Sequence, residues 1–423
     1  MVWITDALDA TQKSTIRKRR LPGEMVIQLI VANALYRRRS MLGVLQTLDL
    51  ALPATDGGFV TKSAITQARQ RLGEAPMKEL FRSSAKAWTT QTASHHNWKG
   101  LSLWAIDGTN LRTPDSPVNR GEFGANSYAS GTVGSYPQVK VLTLTSVTTR
   151  FMLDAAFGRY SKNEMQYIRE GMIDNIPNNS LTIFDKGFYS AQILIGLTVE
   201  GDNRHFLIPA KKGQRHRIIS GAPEDAIIGT PVSPQARQAN RDLPVEWVMR
   251  RIQMTRSDGT HDYLLTSLLD QGHHTAEEFR QMYRKRWEIE TSYSDLKDTL
   301  FQGKITLRSG NTDTVRQEIW GTLIAYNLVR MKVAEAAMRV RTSPQSVSFK
   351  LAMEYLQDAL ICSADEQGGL LPRRSNELGQ ALLIPNNGRE CPRVVKARPI
   401  RYPIRWIRIG PGSNRTIPVP RRI

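Results

Sequence analysis

The sequence has little of what marks secreted or membrane-embedded proteins. Only two cysteines, Cys362 and Cys391, occur in 423 residues, too few for a disulfide framework and too far apart for a Cys-x-x-Cys pair. The longest apolar run, residues 25–35, contains Gln28 and Asn33 and is shorter than the ~20 residues of a membrane-spanning helix. The N-terminus lacks the pattern of a signal peptide. These absences predict a cytoplasmic protein in a reducing compartment, without a membrane partner.

Low-complexity composition is absent as well. The 21 prolines and 30 glycines leave 40% apolar and 7% aromatic residues, which is enough to form packed cores. The length predicts two or three domains. Acids are scarce, because 39 Asp and Glu face 58 Lys and Arg, for a net charge of +19. This excess favours a polyanionic partner such as nucleic acid.

Acids are missing entirely after Glu390. The rest of the chain carries nine Arg and Lys residues, interleaved with Tyr402, Trp406 and six prolines. This composition predicts a basic, extended C-terminal arm that lies along a nucleic-acid backbone. A solvated tail without a partner is the alternative.

Apolar periodicity predicts that residues 1–95 form a helical N-terminal DNA-binding domain. The expected helices span residues 22–36, 40–50 and 62–72, bounded by proline, serine and glycine signals. The third helix carries Arg69 and Arg71 and suits a helix that contacts DNA. A solvated helix face would show the same residues.

Short apolar runs of strand length replace the helical pattern from residue 101 onward. Three such runs and then a strand, helix, strand alternation predict an α/β domain with a mixed sheet, whose strands are expected at 101–106, 139–147, 151–157, 181–184 and 205–210. Helices are expected at 163–175 and 191–200. Residues 96–213 are therefore the first part of this core.

Prolines and glycines punctuate the next stretch, and residues 214–271 are predicted to form an inserted β subdomain. Thr275 and Glu278 then form the pattern of a capping box, which opens a helix running to about residue 300. An apolar helix over 315–340 should return to the core. Residues 272–341 thus complete the core, and 342–423 form a C-terminal region with the basic arm.

Two acids follow predicted strands. Asp107 ends the run Leu-Ser-Leu-Trp-Ala-Ile-Asp, and Asp185 ends Leu-Thr-Ile-Phe-Asp. Ligands of open α/β sheets bind beyond the carboxyl ends of the strands, so two acids placed there can converge. For either residue alone, an ordinary turn or helix-capping aspartate is the alternative.

The helix that begins near Thr275 carries one polar stripe. Tyr283, Arg286, Glu290 and Lys297 fall within an arc of about 60° when each residue turns the helix by about 100°. A separate apolar stripe would seat the helix on the core. A solvated face is the alternative, although such faces usually mix Glu and Lys without a lone aromatic residue.

Together the acids form a set of hard oxygen ligands. Asp107, Asp185 and Glu290 suit Mg²⁺ or Mn²⁺, and two such ions about 3.5 to 4 Å apart support phosphoryl transfer. Arg286 and Lys297 beside these carboxylates fit a phosphate held near the ions. Tyr283 could donate a hydrogen bond to the same phosphate.

The string Tyr283-x2-Arg286-x3-Glu290-x6-Lys297 resembles the Tyr-Arg-Glu-Lys signature of bacterial transposases in the insertion-sequence-4 family. The segments Ile-Asp-Gly-Thr at 106–109 and Phe-Asp-Lys-Gly-Phe-Tyr-Ser at 184–190 are similar to the blocks around that family's catalytic aspartates. Residues 19–22 and 67–73 are similar to its N-terminal domain. The resemblance covers roughly residues 15 to 340.

Membership would imply an RNase H-like mixed-sheet catalytic core interrupted by a β-strand insertion. It would also imply cut-and-paste transposition, in which DNA is cleaved at terminal inverted repeats and its 3′ ends are joined to target DNA. Double-stranded DNA would then be the partner, and pairing of two ends would imply a homodimer. The protein would act in the bacterial cytoplasm, at the nucleoid.

The resemblance assigns the metal ions to Asp107, Asp185 and Glu290, and assigns DNA phosphates near the cut to Tyr283, Arg286 and Lys297. Lys186 stands where many relatives carry Arg, which would keep a positive charge facing phosphate. Some members stack a flipped base on an aromatic side chain. The candidates here are Trp247, Tyr263 and Trp287, with core packing as the alternative.

Two other functions share parts of this pattern. A nuclease of the same fold that does not join strands would need every one of the carboxylates. A DNA-binding protein descended from a transposase would need none of them, since clustered anionic side chains do not favour DNA. The sequence does not identify the inverted repeats, the target sequence, or whether a hairpin intermediate forms.

Overall fold

A computed structural model describes residues 2–14, 21–47, 60–93, 97–127, 133–255, 259–303 and 306–362, together with two short strands near the C-terminus. The chain divides into two compact units, Met1–Leu383 and Ile384–Ile423. In the second unit the described strands, Trp406–Arg408 and Thr416–Pro418, pair antiparallel. The remainder of the predicted basic arm lies outside the described residues.

The first unit begins with helices, as the apolar periodicity predicts. They are α1 (Val2–Ala10), α2 (Gly23–Leu35), α3 (Met41–Thr47), α4 (Lys62–Leu72) and α5 (Ala75–Ala93). Pro22 directly precedes α2, where its missing N–H costs nothing. The Thr61 hydroxyl accepts a hydrogen bond from the Ala64 N–H and caps α4, and Gly73 ends that helix at a φ of 72°. The predicted third helix is therefore confirmed residue for residue, and 48–50 of the second lie outside the described residues.

Strands and short helices alternate after residue 101. In chain order they are β1 (Ser102–Arg112), α6 (Pro117–Phe123), β2 (Ala125–Ser127), β3 (Val133–Ser146), β4 (Met152–Arg159), α7 (Glu164–Tyr167), β5 (Ser180–Phe184), α8 (Ala191–Val199), β6 (Arg204–Pro209), β7 (Arg217–Ala222), β8 (Asp225–Pro231), α9 (Pro234–Ala239), β9 (Glu246–Thr255) and β10 (His261–Thr266). A π-helical turn, Ile168–Met172, and a 3-10 turn, Ile173–Asn175, follow α7.

All ten strands belong to one mixed sheet, with the order β2-β3-β1-β5-β6-β10-β9-β8-β7 and β4 paired to β3. The central strands β1, β5 and β6 are parallel, while β3 runs antiparallel to β1. The predicted mixed α/β architecture is thus observed. The strands of the predicted insertion continue this same sheet, because β10 pairs antiparallel with β6.

The remaining helices lie after the sheet in sequence. They are α10 (Ala276–Arg284), α11 (Trp287–Ser294), the π-helical segment Asp295–Leu300, α12 (Thr312–Arg339) and α13 (Phe349–Cys362). The long helix α12 packs against α2, α5 and α13, so it joins the N-terminal helices to the core. None of the described helices combines the length and the apolar character that crossing a membrane requires.

Alternating side chains of β1 enter two different cores, one on each face of the sheet. Leu103, Ala105 and Leu111 pack with α5, α11 and α12, whereas Trp104 and Ile106 pack with α7 and α8. By this alternation Asp107 belongs to the face covered by α11. The fold therefore brings the helix with Glu290 to the strand with Asp107.

Candidate active site

Asp107 lies in β1, and Asp185 directly follows the adjacent parallel strand β5. Ile106 of β1 is paired with Phe184 of β5, and Phe184 is the last residue of its strand. The next residues in register are the two aspartates, and neighbouring strands are about 4.8 Å apart. β1 itself continues to Arg112, so Asp107 lies within its strand and not at its end as the sequence predicted. The two aspartates come together because β5 ends at Phe184, whereas the neighbouring strand β1 continues past Asp107.

The two carboxylates have different local partners. Asp107 Oδ1 accepts a hydrogen bond from the Gly108 N–H at 2.8 Å. Asp185 precedes the 3-10 turn Lys186–Phe188, and its Oδ2 accepts a long hydrogen bond of 3.5 Å from the Gly187 N–H. Asp185 therefore caps a turn, which was the alternative role that the sequence allowed. Its negative charge also acts on the Asp107 carboxyl.

Burial raises the pKa of the Asp107 carboxyl. The Gly108 N–H and the Arg286 guanidinium oppose this effect, while the nearby charges of Glu164 and Asp185 add to it. A third acid, Glu164, thus contributes to the field at Asp107. Carboxylates crowded in this way gain most from a bound cation.

The helix with the polar stripe begins as predicted. The Thr275 hydroxyl accepts from the Glu278 N–H at 3.3 Å, and the Glu278 carboxylate accepts from the Thr275 N–H at 2.8 Å. This capping box satisfies two of the free N–H groups at the start of α10. The helix is not regular beyond that point, since Lys285 and Arg286 form a turn between α10 and α11, and residues 295–300 are π-helical.

Tyr293 fixes α11 against the strand that carries Asp107. Its buried hydroxyl donates a hydrogen bond to the Asp107 carbonyl at 2.6 Å and contacts the Thr143 hydroxyl at 2.8 Å. At the other side of the helix, Arg150 Nε donates to the Glu288 carboxylate at 2.6 Å. Glu290 lies about one turn before Tyr293 on the helix that is fixed in this way.

Arg286 connects the helix to the aspartates. Its guanidinium donates to Glu290 Oε1 at 2.9 Å and interacts electrostatically with Asp107 and Asp185. Burial would lower the pKa of Arg286, but Tyr283, Glu290 and Asp185 together raise it. Burial raises the pKa of Tyr283, which lies near Arg286 and Asp185. Tyr283 and Arg286 of the predicted stripe thus lie near Asp185, and Glu290 is bound to Arg286.

Lys297 completes the stripe from within the π-helical segment. Its ammonium lies 5.9 Å from the centre of the Tyr293 ring. Burial lowers the pKa of Lys297, and the charges of Asp298 and Asp107 oppose that shift. A second positive charge therefore acts on Asp107, in addition to Arg286.

The donor set fits a hard divalent cation only in part. Asp107 and Asp185 offer carboxylate oxygens with few protein partners, which are the ligands that Mg²⁺ and Mn²⁺ prefer. Within the described part of the chain, no three His, Cys, Asp or Glu side chains form a group able to hold an ion. Glu290 is instead paired with Arg286, at 2.9 Å.

Glu164 is a residue that the sequence analysis missed. It is the first residue of α7, and its carboxylate forms an ion pair with Lys140 of β3 at 3.7 Å. A Cβ atom added at Gly108 would lie 2.6 Å from Glu164 Oε1. The glycine after Asp107 therefore leaves room for this carboxylate. No local pattern around Glu164 signals its position, since only the fold brings α7 to β1.

The other three predicted DNA contacts differ in position and exposure, since Lys186 directly follows Asp185 whereas Arg69 and Arg71 belong to α4. Lys186 and Arg71 are exposed, and Arg71 is near the end of α4. Arg69 is only 9% exposed, and its guanidinium donates to Gln317, Ser309 and the Thr314 carbonyl. Its donors hold α4 against the start of α12, and this burial argues against the DNA contact expected of Arg69.

The three aromatic candidates differ in exposure. Trp287 is 64% exposed and is the first residue of α11, directly after Arg286. Trp247 packs on Phe206 with ring centres 5.3 Å apart, and Tyr263 lies under the Arg251 guanidinium at 4.4 Å. Core or surface packing accounts for the last two, whereas Trp287 has an open face beside the site.

Comparisons with known proteins agree with this geometry. The family described as "Transposase DDE domain" matches residues 98–328, and "Insertion element 4 transposase N-terminal" matches residues 1–82. The chain is 37% identical over 395 residues to "Transposase InsG for insertion sequence element IS4" of Escherichia coli strain K12, covering 92% of this chain and 88% of that relative.

A cryo-EM structure of the piggyBac transposase synaptic complex with hairpin DNA aligns with 92% of this chain and 82% of its own, at 13% identity and a TM-score of 0.42. A likeness at this level establishes neither a shared fold nor a shared function. The sequence families carry the assignment, because one spans more than half of the chain and a relative matches nearly all of it. The chain belongs to the DDE transposases of the insertion-sequence-4 family.

Proposed function

We propose that Asp107, Asp185 and Glu290 are the catalytic carboxylates with which this transposase cleaves DNA at the terminal inverted repeats of its element and joins the ends to target DNA. The observation that carries this assignment is the register of β1 and β5, which places the two aspartates side by side. Tyr293 then links the helix of Glu290 to the same strand. Members of the family use divalent metal ions, and Mg²⁺ is the ion that we propose here, with Mn²⁺ as a substitute.

Asp107 and Asp185 would hold these ions through their carboxylate oxygens. When bound, such ions activate a nucleophile and stabilise the leaving oxygen of a phosphodiester. Glu290 can join the aspartates only by releasing Arg286, from which it is 2.9 Å away. Arg286 is then free to bind phosphate in a bidentate manner.

The number of ions that we propose is two, both held by carboxylate oxygens of Asp107, Asp185 and Glu290. Two ions are proposed because phosphodiester cleavage involves two oxygens. One ion would activate the attacking oxygen, and the other would stabilise the leaving oxygen. The chain's own contribution is to fix the carboxylate oxygens on rigid elements. These elements are β1, β5 and the anchored helix α11, and none of them belongs to the insertion.

The cationic residues of the stripe would bind the DNA phosphates at the cut. Arg286 faces both aspartates, and Lys297 lies near Asp107 from the other side. Tyr283 has a raised pKa because of burial, so its hydroxyl stays protonated and can donate to a phosphate oxygen. Their arrangement would hold a phosphodiester across the carboxylates and would also neutralise charge that develops during cleavage.

Residues farther from the carboxylates would hold the DNA duplex. We propose that the helical residues 1–95 bind the element end, with Arg71 as one phosphate contact, and that Lys186 contacts phosphate beside Asp185. Residues 96–213 and 272–341 would form the catalytic core, and 214–271 the insertion. The C-terminal region, 342–423, would add nonspecific affinity through its basic residues.

Trp287 is the aromatic residue that best fits a stacked base. Its exposed ring adjoins Arg286, so a base extruded near the cut could stack there without displacing core side chains. Two copies of the chain would be needed to pair the two ends of the element. We therefore propose a homodimer in the DNA complex.

A plasmid excision and integration assay tests the proposed function. The full-length protein is supplied beside a marker flanked by the element's own ends, and wild type is compared with Glu290→Gln. We expect excision and integration junctions from wild type only. Cleavage without junctions would favour a nuclease, and bound but uncut end DNA from both proteins would favour a DNA-binding protein without catalysis.

A further inference from the structure

Two neighbouring cavities lie where the end of α2 meets the segment between Phe301 and α12. Their volumes are about 700 and 720 Å³, and both are lined by Arg37, Arg38 and Arg308. Arg39 lines the first cavity, and Arg112 at the end of β1 lines the second. We call this surface, formed by Arg38, Arg39, Arg112 and Arg308, the arginine groove.

The floor of the groove is a buried ion pair. Arg37 is 5% exposed and donates to Glu318 Oε1 at 2.8 Å and to the Thr306 carbonyl at 2.8 Å. Glu318 also accepts hydrogen bonds from the backbone N–H groups of Arg308 and Ser309. The carboxylate is therefore occupied by buried donors, and its charge raises the pKa of Arg308 against the effects of burial and Arg37.

The exposed arginines are held in place by neutral groups. Arg38 Nε donates to the Gln302 side chain at 2.6 Å, and Arg308 donates to the Asn33 side chain and to the Arg39 carbonyl. Arg38, Arg112 and Arg308 form no salt bridge within the described residues. Burial and the charge of Arg37 lower the pKa of Arg308, as expected where like charges crowd. An anion would relieve this repulsion.

The groove lies at the end of the strand that carries Asp107. Arg112 follows Asp107 by five residues on the same strand, β1, which corresponds to about 17 Å at ~3.4 Å per residue. The Leu307 N–H donates to the Arg112 carbonyl at 2.7 Å and fixes the groove to the end of that strand. Duplex DNA rises ~3.4 Å per base pair, so this distance spans about five base pairs.

We propose that the arginine groove binds the phosphate backbone of the element-end duplex about five base pairs from the phosphodiester that is cut. This proposal rests on the transposase function above. The element side of the cut is favoured, because α2 and α4 form one wall of the groove and belong to the matched N-terminal family region. The groove thereby sets the distance between end recognition and cleavage.

The test uses Arg112→Gln in the full-length protein, with a duplex that contains one element end and its flanking DNA, in the absence of divalent ions. Single phosphates are replaced by neutral methylphosphonates, and dissociation constants are measured over a range of salt. Wild type should lose affinity when the phosphate about five base pairs inside the element is neutralised. In Arg112→Gln, neutralising that phosphate should cause no further loss of affinity. The slope of log K against log salt concentration should also be smaller by about one than in wild type.

Two variants serve as controls. Arg112→Lys keeps the charge and should retain the wild-type salt slope. Arg341→Gln removes the same charge from an exposed arginine beyond the C-terminus of α12, about 40 Å along that helix from the groove, and should leave the phosphate profile unchanged. Thermal unfolding of each variant confirms that it is folded.

The outcomes separate the groove from the proposed function. Equal phosphate profiles for wild type and Arg112→Gln, or an effect confined to the flanking side, would overturn the groove assignment. Cleavage of the same duplex by wild type in Mg²⁺ is measured in parallel. If wild type shows the phosphate effect but does not cut, the proposed function fails while the groove stands.

Discussion

The Tyr293 hydroxyl donates a hydrogen bond to the backbone carbonyl of Asp107, 2.6 Å away. This bond joins the helix of Glu290 directly to the strand of Asp107, which we propose as the first catalytic aspartate. Tyr293 is 5% exposed, and burial raises the pKa of its hydroxyl, so the bond keeps its proton at any ordinary pH. The separation between the carboxylates is therefore set by a buried contact, which substitution can remove.

Tyr293→Phe should lower DNA cleavage by about tenfold to a hundredfold, because small displacements of catalytic groups have effects of that size. The lost hydrogen bond should also cost about 1 kcal/mol of unfolding free energy. Binding of the element end should be unchanged. The measurements are cleavage of a labelled duplex, a gel shift and urea unfolding on one preparation.

Tyr326→Phe is the matched control for that variant. Tyr326 is also fully buried, and its hydroxyl donates to the Arg150 carbonyl at 3.1 Å, away from the carboxylates. The same hydroxyl accepts from the buried Arg330 Nε at 3.0 Å, so its removal should cost at least as much stability, with little change in cleavage. Equal losses of cleavage in the two variants would show that Tyr293 acts only through stability.

Arg286→Gln should change metal affinity and cleavage in opposite directions. Without the guanidinium, Glu290 loses its partner at 2.9 Å, and Mn²⁺ binding to the free protein should strengthen by roughly threefold to tenfold. Cleavage should fall, because a phosphate contact is lost. Calorimetric titration with Mn²⁺ and a cleavage assay measure the two effects.

Glu290→Gln is the control for the metal titration, because the amide keeps a hydrogen bond to Arg286 while the negative charge is lost. Its Mn²⁺ affinity should drop below that of wild type. If Arg286→Gln instead binds Mn²⁺ more weakly than wild type, then the ion pair with Glu290 does not compete with metal binding.

Gly108→Ala should impair cleavage through Glu164. The added Cβ would lie 2.6 Å from Glu164 Oε1, so the carboxylate, or the strand beside Asp107, must shift. The Glu164 side chain is partly exposed, so the cost in stability should stay below about 1 kcal/mol. Adding Glu164→Ala should restore much of the cleavage, because the collision is then removed. Additive losses in the double variant would exclude the collision as the cause.

The parts of the site that the sequence predicted are those with local signals. The hydrophobic run before Asp185 placed that residue correctly at the end of its strand, and the capping box at Thr275 placed the start of the helix correctly. For Asp107 the run predicted the strand but not its continuation to Arg112. The prediction that Tyr283, Arg286, Glu290 and Lys297 form one stripe was based on a regular helix. The turn at Arg286 and the π-helical segment around Lys297 depart from that geometry, and contacts with the sheet hold the stripe together instead.

What the sequence did not predict depends on contacts between distant segments. Glu164 reaches Asp107 only because α7 covers the sheet, and nothing within its own segment marks it. Arg69 looked like a DNA contact because a helix with several basic residues has no visible partner in the sequence. Its partners, Gln317 and Thr314, come more than 240 residues later.

His205 gives a pH dependence that does not involve the active site. Its ring nitrogens contact Ser267 and Asn203 at 3.0 and 2.8 Å, and burial, with the nearby His274, lowers its pKa below 6.5. The folded protein therefore binds this proton less readily than the unfolded chain, so stability should fall as pH drops below 6.5. Melting temperatures measured against pH should show a smaller fall for His205→Asn. An unchanged pH profile in that variant would exclude His205 as the cause.

Substitutions at Arg69 and Arg71 should have different effects, because we assign a structural role to Arg69 and a DNA contact to Arg71 on the same helix. Arg69→Met removes a buried guanidinium that donates to Gln317, Ser309 and Thr314, so unfolding should become easier by about 2 to 4 kcal/mol. Arg71 is exposed, so Arg71→Gln should leave stability within about 0.5 kcal/mol and reduce the salt slope of end binding by about one. Urea unfolding and salt titrations of end binding measure the two quantities. A reduced salt slope in folded Arg69→Met, at a temperature well below its melting point, would contradict the structural role and restore the DNA contact that the sequence predicted.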